Sequence, residues 1–355
     1  MATPPEVLFD RFFRSRQHLL DDGLLGKVDI DQLTATRFPI ALLFDIQAMM
    51  NNALLVENTN IPGHVDHDLF HFDYLNANEP NAIAFCADGY SFIGITIQLV
   101  DQLWTAGTRL SEIPELQAVL KMQLTDAQRA EMTTAQRIQV VLFRLQFFFV
   151  ALHEFSHVVH GHIQQGDESP FASEIVPRNG GSIEKQGRES DADGYAIYFL
   201  LTNVFDSSPE RSHLLRVLGK DQSPDADQDE VLFAAFVMAA AGFIFVQAPQ
   251  AFNGQDLGTR THPLQVVRLR LMMKAAHAWC DQNRPALCSQ TRGPQFHALI
   301  RLLAHAICGP DGQARWDEQL QFIRSDAGRQ YDTAVETECV RLVREFGRRV
   351  DEQAN

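Results

Sequence analysis

Cysteine is scarce in this chain and forms no framework. Its five residues, Cys86, Cys280, Cys288, Cys308 and Cys339, are odd in number, widely scattered and free of any C-x-x-C pair. That excludes a disulfide-stapled scaffold and fits a reduced, cytoplasmic protein. Positive charge is short as well: 30 Lys and Arg against 45 Asp and Glu leave a net −15. Such an excess repels phosphate backbones, and no Lys/Arg cluster with interleaved aromatics occurs, so nucleic acid is not an expected partner. No apolar run reaches the roughly twenty residues that a bilayer crossing needs. The nearest, Val231 to Val246 (VLFAAFVMAAAGFIFV), is apolar on every face, follows Asp and Glu and precedes Gln247 and Pro249, so it reads as a buried helix rather than a membrane span. The first residues, MATPPE, lack the basic start and apolar run of a secretory signal. No internal repeat or low-complexity tract is visible. What remains is 45% apolar and 21% charged over 355 residues, the range of a globular chain with one sizeable core and an extension.

Against this plain background stands His153-Glu154-Phe155-Ser156-His157, an H-E-x-x-H sequence in a long segment with helical signals on both sides. Residues four apart share a helix face, so both imidazoles can reach one ion. Glu154 then falls beside the open coordination position, where a carboxylate can take a proton from water. Catalytic zinc needs a third protein ligand and keeps a fourth position open. Downstream, Glu189 to Leu201 reads as a second helix with acidic residues in its first turn. Glu189 and Asp193 lie on one face of it. Glu189 is the natural third ligand, and Asp193 the acceptor for the ring N–H of a zinc-bound histidine, fixing its tautomer. The bland reading of the pair is an acidic helix start turned to solvent. Glu174 and Glu184, in a Pro/Gly-rich loop without a helical frame, are fallback ligands. His160 lies near the same face and reads as a hydrogen-bonded neighbour. The metzincin pattern needs Gly and then His at spacings where this chain has His160 and Ile163, and is excluded.

Four pieces occur in order: Asn81-Ala82-Ile83-Ala84 with Tyr90 to Thr96, then HEFSHVVHGH, then ESDADGYA, then Thr261-His262-Pro263 followed by Arg268. Together they resemble zincin peptidases of the gluzincin kind, the HtpX and CAAX-prenyl-protease class and the phage-exclusion endopeptidase Lit, over roughly residues 80–275 with long gaps. The resemblance implies a zinc-dependent endopeptidase acting on proteins or peptides. His153, His157 and Glu189 would bind Zn2+ and Glu154 would be the general base. His262 would stand where it can donate to the oxyanion, or is a histidine before a proline at a helix start; both readings stay open. Arg268 would pair with a buried carboxylate and hold helices together. Two departures are plain. The HtpX class carries transmembrane helices that are not expected here, and Thr105 to Ala135 separates the strand region from the active-site helix. The alternative functions are a catalytically silent metal-binding or interaction protein of the same fold, and a zinc hydrolase of a non-peptide amide.

The expected fold is mainly α (α+β): a zincin-like catalytic domain with a small sheet beside the active-site helix, plus helical extensions. Its edge strand would be free to pair with an extended substrate. Residues 1–60 are expected as a helical segment packed on a catalytic domain spanning 61–283, with a helical extension over 284–355. Helices are expected over 6–25 and 38–55, and strands within 81–97. The apolar stretch Val140–Leu152, although it contains Arg144 and Gln146, reads as the front half of the active-site helix. Capping boxes start at Thr125 and Thr133, the second opening the helix that runs through HEFSH to about Ile163. Residues 60–80 look turn-rich; His64, His67 and His71 with Asp66, Asp68 and Asp73 there offer a second metal site, a solvated loop being the default. Ser207 to Glu230 reads as a polar loop and a candidate lid. From His262 onward the chain reads as helical.

Overall fold

The computed structural model describes residues 3–16, 19, 21, 23–33, 37–60, 69–122, 124–163, 181–206, 208–246, 257–287 and 294–353. In chain order these form α1 (Pro5–Arg14), β1 (Leu24–Lys27), a 3-10 turn, α2 (Ile40–Asn60), β2 (Leu69–Ala77), β3 (Ala82–Ala87), β4 (Tyr90–Thr96), α3 (Ile97–Ser111) and the short α4 (Pro114–Val119) and α5 (Asp126–Glu131). Then come α6 (Thr134–Val159), α7 (Ile183–Phe205), α8 (Pro209–Leu218), α9 (Asp225–Val246), α10 (Gln265–Asn283), α11 (Pro294–Ile323) and α12 (Asp326–Gln353). The fold is mainly helical with one four-stranded sheet, ordered β1-β2-β4-β3. β2 and β4 pair in parallel; β1 and β3 join antiparallel at either side.

Period-two alternation gives this sheet two apolar faces. Phe70, Phe72 and Tyr74 of β2, with Ala82, Ala84, Ile93 and Ile95, belong to the main core. There Phe70 meets Phe155 of α6 at a centroid distance of 4.8 Å and Phe72 meets Phe147 at 5.7 Å. Leu75, Ile83, Phe85 and Phe92 face the other way, into a smaller core closed by Leu8, Phe9, Phe12 and Phe13 of α1. Helix α6 is therefore enclosed: the sheet, α3, α7, α8 and α9 all pack on it. That is why its sequence is apolar around the whole circumference rather than along one stripe.

The polar residues in α6 are accounted for by specific partners. Arg144 makes a two-pronged pair with Glu210 of α8, Nε to Oε1 at 3.0 Å and Nη2 to Oε2 at 2.7 Å. Two helices, α6 and α9, are long and apolar enough to cross a membrane by length and composition, and their apolar windows are 94% and 78% buried within the fold. The run from Val231 onward packs against α6 and α11.

Four expectations need correction. The helix expected over 6–25 is broken after Arg14, although Leu19 and Asp21 are again helical. Gly23 and Gly26, at φ 84° and 103°, carry the chain into β1 instead, a backbone that glycine adopts without steric cost. Within the turn-rich 60–80 region, Leu69–Ala77 is an inner strand of the sheet, because L-F-H-F-D-Y-L alternates under its His and Asp content. Asp73 there is fully buried and meets Lys27 Nζ at 2.6 Å, Gln47 Nε2 at 2.9 Å and His71 Nε2 at 3.3 Å; His64, His67, Asp66 and Asp68 lie outside the described residues. The segment expected as a lid loop forms α8 and the start of α9, pinned where Asp229 accepts from Arg211 at 2.8 Å and Arg284 at 3.0 Å. Finally, Glu184 is not in a loop but in the first turn of α7. Both expected capping boxes form, at Thr125 and Thr133.

The Arg144–Glu210 pair yields a stability test. Arg144→Met strands a largely buried carboxylate and should cost about 3 kcal/mol, whereas Arg144→Met with Glu210→Leu should recover more than half of that loss. Urea midpoints decide it; equal losses in the single and double variants would mean that Arg144 acts through packing instead.

Candidate metal centre

Three backbone devices set the centre. Helix α6 starts from the Thr133 capping box and ends in a Schellman closure at Gly161 (φ 67°), where Gly161 N–H donates to Val158 O at 2.9 Å and His162 N–H to His157 O at 2.8 Å. Helix α7 starts at Ser182, whose hydroxyl accepts from Lys185 N–H at 3.1 Å. One turn on, Tyr331 of α12 ties two helix starts together: its hydroxyl donates to Gln186 Oε1 at 2.5 Å and accepts from Leu264 N–H at 3.1 Å. Burial pushes the Tyr331 phenol up to about 12, so it stays a donor.

These helices bring His153, His157 and Glu189 together in the interior, one ligand atom from each lying within 4.8 Å of the others. His153 Nε2 is 3.0 Å from His157 Nε2 and 3.3 Å from Glu189 Oε2; His157 Nε2 is 3.7 Å from Glu189 Oε1. The Nδ1 of His153 lies 2.9 Å from Asp193 Oδ1. A carboxylate only accepts, so that nitrogen carries the ring proton and Nε2 turns a lone pair inward. A buried lone pair facing a second imidazole nitrogen and a carboxylate is relieved by a proton on His157 Nε2 or by a cation among the three groups. Two imidazoles and one carboxylate form the donor set that suits zinc, with a further position open. The residues fit a divalent cation.

Behind them, Asp193 is fully buried and gripped by Arg268, Nε to Oδ2 at 2.7 Å and Nη2 to Oδ1 at 2.8 Å. Burial alone would raise this carboxyl; Arg268 and the His153 ring overcome it and hold the group below the ordinary carboxylate range. Glu189 behaves likewise: burial works upward, and His262, His157 and His153 together hold it well below. A family model, that of peptidase U49, matches residues 96–283, more than half of the chain, from the end of β4 through α10.

The chain belongs to the peptidase U49 family. No curated protein and no solved structure matches it. Membership makes the chain a peptidase, with protein or peptide as its substrate class, and the matched segment contains every residue of the cluster.

The remaining candidates fall on two sides. Glu154 is buried next to His153, and His262, on the turn before α10, brings Nε2 to 3.2 Å from Glu189 Oε2. Glu184 is turned away, half exposed and paired with Arg188 at 2.7 Å, and Glu174 lies outside the described residues. Tyr198 is 45% exposed, and Tyr195 leans on His160 and Phe199. His160 meets Asp191 Oδ2 at 2.6 Å through Nδ1 and stacks on Phe346 of α12 with centroids 4.0 Å apart. Sequence reasoning missed His162 and Asp191. His162 Nδ1 lies 3.0 Å from His157 Nδ1, and His162 Nε2 lies 3.1 Å from Asp191 Oδ2. Burial takes the His162 ring down to about 4, and the two histidines beside Asp191 hold that carboxyl at about 2 against its burial. The signal for His162 was present: a glycine at the helix end folds the next residue back over the last turn.

Equilibrium dialysis against zinc checks the ligand set. One ion per chain is expected, lost in Glu189→Ala and kept in Glu184→Ala; the reverse pattern would move the third ligand to Glu184.

Proposed function

We propose that this peptidase is a zinc-dependent endopeptidase with a zincin-like, gluzincin-type centre. The observation that carries the proposal is the buried meeting of His153, His157 and Glu189, with Glu154 next in the chain on the same helix. His153, His157 and Glu189 would hold the ion. A divalent cation bound there acidifies water and polarises a carbonyl. Glu154 takes the proton of the attacking water and hands it to the leaving amine, as a general base turned acid. Asp193, clamped by Arg268, keeps the His153 ring in one tautomer and one orientation while charge moves.

His262 supplies the remaining donor. Thr261 Oγ1 lies 3.0 Å from its Nδ1. A hydroxyl donating there leaves the proton on Nε2, the nitrogen turned toward Glu189. That N–H strengthens its hydrogen bond as negative charge develops on the carbonyl oxygen. An extended peptide would add to the outer edge of β3, one of the sheet's two terminal strands and the one that packs beside α6. The five cysteines are odd in number, scattered and without a C-x-x-C pair, which supports a reducing compartment such as the cytoplasm.

Digestion of a quenched peptide library, with chelator-treated protein as control, tests the activity. Glu154→Gln removes the base and no ligand, so zinc content should persist while turnover falls about 10²-fold or more. Near-wild-type turnover would take Glu154 out of the mechanism. His262→Ala should lower kcat by about 10²–10³ with KM and zinc content nearly unchanged. Loss of zinc in that variant would make His262 a support of Glu189 instead.

A further inference from the structure

We propose that His162 is a positioning residue for His157, and that Asp191 orients His162 in turn. The inference rests on the zinc reading above. It makes the Asp191–His162–His157 chain the counterpart of Arg268–Asp193–His153, so that α7 orients both histidines of the H-E-x-x-H turn, one directly and one through a second imidazole.

The backbone puts His162 in place before any side chain acts. The Schellman closure turns the chain at Gly161 and bonds His162 N–H to His157 O at 2.8 Å. Gly161 holds φ 67°, a backbone conformation that calls for glycine. The ring that results is buried, its Nδ1 3.0 Å from His157 Nδ1.

Proton accounting then fixes the roles. Two ring nitrogens at that distance hold one proton between them. His157 turns Nε2 toward His153 Nε2 and Glu189. As a ligand that nitrogen is bare, so the ring proton sits on Nδ1 and is donated to His162 Nδ1. Neutral His162 keeps its own proton on Nε2, which lies 3.1 Å from Asp191 Oδ2 outside hydrogen-bond geometry, so the carboxylate acts on that N–H through its charge. Asp191 accepts from His160 Nδ1 at 2.6 Å, and Phe346 and Tyr195 wedge the His160 ring. No two donors or two acceptors face each other along this chain.

The same account removes a competing reading. His160, His162 and Asp191 offer ligand atoms within 4.8 Å of one another and could hold a second cation. An ion on His162 Nε2 would force that ring's proton to Nδ1, which would then donate to His157 Nδ1. His157 would carry its proton on Nε2 and leave the first set. One shared proton thus couples the two clusters, so an ion at His153, His157 and Glu189 excludes one on His162 Nε2.

Zinc affinity, measured by competition with a chromophoric chelator, tests this together with the visible spectrum of the cobalt(II)-substituted protein. His162→Phe keeps the ring volume and removes the acceptor; it should weaken zinc binding about 10–100-fold and shift the cobalt bands. His162→Asn places an amide oxygen near the position of Nδ1 and should restore most of the affinity and the wild-type bands. If His162→Phe fails to fold, His162→Asn decides: folded protein with wild-type affinity supports the relay, and folded protein with affinity lost overturns it. Wild-type affinity in folded His162→Phe overturns the proposal while leaving the zinc centre intact. So does a stoichiometry of two ions per chain with only the second lost in that variant. Absence of Glu189-dependent zinc binding in the wild type would instead overturn the centre itself.

Discussion

A fully buried carboxylate needs a cation and hydrogen-bond donors, and Asp193 takes both from two other helices: Arg268 of α10 by two prongs, and His153 of α6 through Nδ1. Such a triad contributes little net stability, because desolvation offsets most of its attraction, but breaking it would cost about 3–5 kcal/mol. Its effect is registry. With Asp193 fixed, Glu189 stands one turn earlier on α7, level with the inward Nε2 of His153. With Arg268 fixed, His262 lies six residues earlier, on the turn that enters the centre.

The rest of the molecule encloses that crossing. Phe149 and Phe243 pack at 5.0 Å above the His153 turn, and the Arg268 guanidinium lies 5.2 Å from the Phe243 ring. Tyr331 locks the starts of α7 and α10 from the C-terminal helix, so α12 takes part in the centre's geometry although it lies beyond the family match. Water exclusion strengthens every charge contact inside, which suits a peptidase whose chemistry concentrates charge on one oxygen.

Much of this centre was legible in the residues. His153 and His157 share a face by helix arithmetic, and Glu189 and Asp193 by the same spacing on a second helix, so the cluster needed only that the two helices cross. Capping boxes at Thr125 and Thr133 are local, and local chemistry reads well. What failed was tertiary. Leu69–Ala77 looked like loop because His71 and Asp73 break its apolar content, and Lys27 and Gln47, both distant in sequence, make Asp73 tolerable inside. Asp191 sits two residues from Glu189, off its face, and reads as solvent-facing until α12 covers it. His162 was hidden for a related reason: its role depends on a left-handed turn at Gly161 rather than on helical spacing.

X-ray absorption at the zinc edge tests the central claim most directly. The account predicts a shell of nitrogen and oxygen alone, at about 2.0–2.2 Å, with outer scattering from two imidazoles. A sulfur shell near about 2.3 Å, or scattering from a single imidazole, would contradict it.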